Sequence, residues 1–267
     1  MIDKHTAGFY PPTKNKDFLL YSIPRSASTL TWQIANELLP GKVYASHQVV
    51  TKHAEYIDSV LKRYVEEGRT GTEFRNWIDN FYLTNVFSDE VPVIISVRCP
   101  FDCAYSMALA KEKQMLDDPN AHRGIDLPGM FFEKFVTSLY VYRSMMISGR
   151  QTLILRYENH AGKEGLLTRI EKIAKFMNVE ASNKKIQEIA EKFSIEKNLE
   201  RSKKFKHFGE YDKETLIHGD HINHRSKGQS GFGLVGCGFQ TVKELCAQHG
   251  GILTFFGYNY NIPDKTT

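Results

Sequence analysis

Hydrophobic positions along this chain switch repeatedly between two spacings, and the switching sets out a fold. Residues 17–23 (DFLLYSI) form a short apolar run stopped by Pro24, the pattern of a buried strand. After a turn at 25–28, residues 29–39 put Leu30, Ile34 and Leu38 on one helical face, and Pro40-Gly41 ends that helix. Residues 42–53 are rich in β-branched and aromatic side chains, which predicts one strand or two short ones. Amphipathic helices are expected over 55–67 and 72–87. Residues 91–97 (VPVIISV) are apolar almost throughout, so a strand buried on both faces is expected there, as in a parallel sheet. Asp102 stands where it would cap the following helix, which runs to about residue 113. Turn-forming residues fill 117–129. A helix over 130–148, a strand over 151–155, helices over 163–177 and 183–198, a polar loop over 201–236 and a last helix over 240–249 complete the series.

Strand and helix in alternation predict an α/β fold with a central parallel sheet flanked by helices on both faces. One domain is expected over 1–267, with 1–17 as an irregular lead-in. Ligands of such sheets bind off the carboxyl ends of the strands. Composition changes little: 267 residues, 41% hydrophobic and 25% charged, is ordinary globular usage. The net charge of +4 is mild and points to neither nucleic acid nor a membrane surface. No apolar stretch reaches the 18 or so residues needed to span a bilayer, and the N-terminal residues carry no signal-peptide pattern. Cysteines at 99, 103, 237 and 246 lack zinc-site or redox spacing, so free thiols in a reducing compartment are expected. A soluble, cytoplasmic protein is the expectation.

Two segments carry candidate chemistry. The first, IPRSASTLTW at 23–32, follows a strand and opens a helix. Such a corner leaves backbone N–H groups without partners at the positive end of the helix dipole, where an anion binds readily. Small residues Ser26, Ala27 and Ser28 allow close backbone approach, Ser28 and Thr29 add hydroxyls, and Arg25 adds a fork-shaped permanent charge. A plain Ser/Thr cap beside a surface arginine would leave the same trace. The loop lacks the glycines and lysine of GxxxxGK[ST], which weighs against a nucleoside-triphosphate loop. The second segment, VIISVRCPFDCAYSMALA at 93–110, again runs strand, turn, helix. It brings Arg98 and the hydroxyl of Ser106 toward the same sheet edge. Two phosphate-sized sites suit a nucleotide phosphorylated at both ends. A structural arginine near a helix cap is the alternative.

The first segment resembles the 5'-phosphosulfate loop of sulfotransferases (P-[KR]-S-G-[ST]-T-x-x-W-like), with Ala27 where glycine is usual and Arg25 where many members have lysine. The second, R-x-P-x-D-x-x-x-S, is similar to their 3'-phosphate motif. Arg156-Tyr157-Glu158, followed by a helix ending IAKFMNV, resembles the family's Y-E segment, and residues 225–232 (RSKGQSGF) resemble its R-K-G-x-x-G-x-W closing loop. The likeness touches about 20–235 in the family's order.

The resemblance implies a fold like that of P-loop NTPases and transfer of a sulfuryl group from 3'-phosphoadenosine 5'-phosphosulfate (PAPS) to a small acceptor, leaving adenosine 3',5'-bisphosphate (PAP). No metal is implied. Arg25 and the backbone of Ser26, Ala27, Ser28 and Thr29 would hold the phosphosulfate, and Arg25 would steady the departing oxygen. Arg98 and Ser106 would bind the 3'-phosphate, Trp32 and Tyr157 would flank adenine, and Arg225, Lys227 and Gly228 would close over the nucleotide. The general base would be His53, in VVTKH, or His47, in YASH. The acceptor, an alcohol or amine such as a secondary metabolite, would lie among residues 47–90 and 115–145, with Trp77, Phe81, Tyr82, Phe131, Phe132 and Tyr140 as lining. His218, His221 and His224 are poorly spaced for one metal. A small-molecule kinase and a non-catalytic nucleotide-binding protein are the competing readings.

Overall fold

A computed structural model describes residues 17–46, 91–114, 127–205, 210–212, 214–217 and 230–260. The chain divides into two compact units, one drawing on residues 1–48, 91–98 and 152–230 and the other on 49–90, 99–151 and 231–267. The expected helices at 55–67 and 72–87 lie outside the described residues, as do residues 1–16.

The first unit is built on a four-stranded sheet of β1 (Phe18–Ser22), β2 (Val43–Ser46), β3 (Val93–Val97) and β4 (Thr152–Arg156), in the order β2-β1-β3-β4. All three pairings are parallel. Every residue of β3 is buried, as its unbroken apolar run requires. On one face Leu20, Ile94 and Leu155 pack against three helices: α1 (Ser28–Leu38), Gly162–Phe176 and Asn183–Lys192. Ile34, Ala35 and Leu38 supply the inward stripe of α1, and Leu166, Ile170 and Ile173 that of Gly162–Phe176. A 3-10 turn, Tyr157–His160, separates β4 from that helix.

The helix expected over 183–198 is two helices. Asn183–Lys192 stops at Phe193, and Ile195–Ser202 starts anew because the Ser194 hydroxyl accepts the Lys197 N–H at 3.3 Å. The apolar stripe of Ile186, Ile189 and Phe193 runs up to the break, and the serine cap decides the boundary.

In the second unit, helices Pro100–Gln114 and Leu127–Ile147 meet through stacked Phe101 and Phe132, 4.4 Å between centroids. The last helix, Phe239–Phe255, runs six residues past the expected end at 249. It continues through Gly250-Gly251 because buried Ile252 and Leu253 extend its inner stripe, and packing overrides the low helix propensity of glycine. The polar loop expected over 201–236 contains a short helix, Phe232–Gly236.

Asp102 corrects a further expectation. It lies within the first turn of Pro100–Gln114, and its carboxylate accepts the N–H groups of Gly231 at 3.0 Å and Gly233 at 2.7 Å. The carboxylate thus ties a distant segment to this helix. Gly233 must be glycine there, since a Cβ would collide with the backbone of Phe101. Phe132 and Tyr140, expected to line an acceptor pocket, are instead buried in this unit's core, where both pack against His249.

Candidate nucleotide-binding site

Strand order selects the place. From β1 the chain passes to β2 on one side, then crosses to β3 on the other, so the carboxyl ends of β1 and β3 flank a topological switch point. Ser22 and Ser96 are partners in register at that end.

The turn leaving β1 is tightly wound. Arg25 (φ 70°) and Ala27 (φ 64°, ψ 33°) both take left-handed backbone, a conformation that costs a non-glycine residue about 1 kcal/mol or more. Side-chain bonds hold the turn in this shape. The Ser26 hydroxyl lies 2.6 Å from the Ile23 carbonyl and 2.9 Å from that of Ser96, while the Ser96 hydroxyl donates to the Ser26 carbonyl at 2.8 Å. Ser26 is fully buried and its N–H donates to the Ile23 carbonyl at 3.2 Å, so the residue braces the turn, and the backbone contact expected of it falls to its neighbours. From Ala27 the chain enters α1 with no side-chain cap and no acidic residue in the first turn. First-turn N–H groups and the positive end of the helix dipole therefore lie at an edge lined by half-buried Arg25, Ser28 and Thr29.

Arg98 emerges from β3 with 5% of its surface exposed. Its guanidinium lies over the ring of Tyr157, 4.4 Å from the centroid, and Nη1 is 3.5 Å from the Arg25 carbonyl. Within the first unit, the ends of β1, β3 and β4 thus place Arg25, Arg98 and Tyr157 together. Trp32 is partly buried and packs against the apolar core. Ser106 belongs to the second unit, buried on Pro100–Gln114. His47, His53, Arg225, Lys227 and Gly228 lie outside the described residues, as do Trp77, Phe81, Tyr82, His218, His221 and His224.

Beneath the turn runs a polar network that the sequence reading missed. Arg169, from the helix Gly162–Phe176, is 1% exposed; its Nη2 donates to Thr31 Oγ1 and, at 2.8 Å, to Ser96 Oγ. Thr31 Oγ1 in turn donates to the Ala27 carbonyl at 3.0 Å. Burial pushes the Arg169 guanidinium down to about 10, so it stays charged at neutral pH. His160, also buried, is driven down to about 4, by burial first and then by the charges of Arg169 and Lys172. A signal for Arg169 was present: it falls on the apolar stripe of Leu166, Ile170 and Ile173, where an outward-facing arginine would not.

The chain matches the sulfotransferase domain family over residues 15–231 and belongs to it. It is accordingly a sulfotransferase whose donor is PAPS. No curated protein matches the chain. Among solved structures it is similar to retinol dehydratase in complex with androsterone and inactive cofactor PAP. That match has a TM-score of 0.51 at 15% identity, over 94% of this chain and 84% of the other. The likeness shows the expected fold, a parallel sheet flanked by helices. Among the described residues no group of three or more His, Cys, Asp or Glu could hold a metal ion, no helix is long and apolar enough to cross a membrane, and the four cysteines are unbridged.

Proposed function

We propose that this chain, acting as one domain in the cytoplasm, moves the sulfuryl group of PAPS to a hydroxyl or amine of a small molecule, with a secondary metabolite among the candidate acceptors. The phosphosulfate lies on the left-handed turn at residues 25–27 and on the first-turn N–H groups of α1, with Arg25, Ser28 and Thr29 around it. Arg98 takes the 3'-phosphate, and Ser106 joins it on the strength of its motif. Tyr157 and Trp32 flank the adenine, and Arg225, Lys227 and Gly228 close over the nucleotide. Attack is in line on sulfur. Charge grows on the oxygen that bridges to the departing nucleotide, and a fixed cation at Arg25 stabilises it there without reorganising. Sulfuryl carries less charge than phosphoryl, so the reaction proceeds without a metal clamp. His53 takes the acceptor's proton, with His47 the other candidate.

The observation that carries this reading is the pairing of an uncapped helix start at the end of β1 with a buried arginine at the end of β3, both at the switch point. Thermal unfolding with added nucleotide tests it. A ligand at about 100 times its dissociation constant adds roughly 2.7 kcal/mol. PAP should raise the midpoint without magnesium, Arg98→Ala should lose that response, and His53→Ala should keep it while turnover falls by about 10²–10⁴. An equal response to ATP with magnesium would favour the kinase reading instead, and unaltered turnover in His53→Ala would pass the base to His47.

A further inference from the structure

Arg169 is, with Asp102, one of the two most deeply buried charges among the described residues, and no carboxylate there neutralises it. Among the described residues its hydrogen bonds go only to two neutral hydroxyls, Thr31 Oγ1 and Ser96 Oγ. No carboxylate among the described residues pairs with it, and its Nε finds no acceptor there. The neighbouring His160 is held neutral in part by this same guanidinium. A charge buried without a counter-ion is costly, and natural sequences keep one where something repays the cost.

The hydroxyls do not need the arginine. Thr31 already donates to the Ala27 carbonyl at 3.0 Å and Ser96 to the Ser26 carbonyl at 2.8 Å, so Arg169 uses only their remaining lone pairs. Replacing it with an apolar chain of similar length would strand no donor. Both hydroxyls belong to the bracing of the turn at 23–27, so the guanidinium sits directly behind the backbone that faces the proposed donor.

We propose that Arg169 is a positioning residue of the nucleotide site: a fixed positive charge, held by Thr31 and Ser96 behind the β1–α1 turn, whose counter-charge is the anionic phosphosulfate end of the donor. It touches no ligand atom. It acts through the turn, by setting the potential there, while the two hydroxyls hold its guanidinium in place. The inference rests on the reading that this turn holds PAPS.

A bracing role and a charge role predict opposite signs, which makes the test sharp. Urea unfolding of the ligand-free protein and calorimetric titration with PAP are measured for the full chain and for Arg169→Met and Arg169→Lys. Arg169→Met should match or exceed the parent in ligand-free stability, because it removes an unpaired buried charge, yet bind PAP about tenfold more weakly. Arg169→Lys should recover most of that affinity. If Arg169→Met loses stability, or does not fold, while any folded fraction binds PAP as the parent does, Arg169 is a strut and the inference is overturned. If the parent chain itself does not bind PAP, the reading of the turn fails first and takes this inference with it.

Discussion

His160 closes the 3-10 turn after β4 with 5% of its surface exposed, and its Nδ1 has no partner among the described residues. Its folded pKa of about 4 lies below the ordinary 6.5, chiefly because burial disfavours the charged ring. The unfolded chain therefore binds a proton in a window where the folded chain does not. Stability from this group is complete above pH 6.5 and is lost as pH falls toward 4, by about 3 kcal/mol at most. Urea unfolding between pH 7 and pH 4 should show this slope, and His160→Gln should flatten it; parallel slopes in the two proteins would refute the assignment. Residue identity alone reached some of this scale and missed the rest. The letters of Pro24–Ser28 announce a tight turn, since small and polar residues follow a strand. That Arg25 and Ala27 adopt left-handed backbone is not in the letters, because neither residue favours it; the bonds between Ser26 and Ser96 impose it.

Elements here begin and end where side chains capture backbone groups, and this decides what the hydrophobic pattern could foretell. β3 was legible because five consecutive buried residues leave no other reading of its apolar run. The break between Asn183–Lys192 and Ile195–Ser202 was not, because the apolar stripe of Ile186, Ile189 and Phe193 runs up to it and only the Ser194 cap marks it. Asp102 is the clearest case. Its partners, the N–H groups of Gly231 and Gly233, are 129 and 131 positions away, so a local reading could see only a helix cap. The carboxylate is 1% exposed, and an amide in its place offers one acceptor oxygen for two donors. Asp102→Asn should cost about 1–3 kcal/mol, read as a lower urea midpoint with an unchanged slope. A midpoint equal to that of the parent would show that the clamp contributes nothing to stability.

At the scale of the whole chain, one crossover sets the chemistry. Passing from β2 over β1 to β3 puts two strand ends side by side, and each leads into a helix. The order of motifs along the sequence foretold both corners, because a strand, a turn and a helix start are local events. The adjacency of β1 and β3 depends on strand order, and the charge behind the first corner comes from a helix some 140 residues later, so neither could be read locally. The account stands on the claim that these two corners hold the two ends of one nucleotide. A crystal structure of the protein with PAP tests it most directly. The account predicts the 5'-phosphate over the start of α1 at residues 25–29 and the 3'-phosphate against Arg98; a nucleotide bound elsewhere, or one whose 3'-phosphate lies away from Arg98, would contradict it.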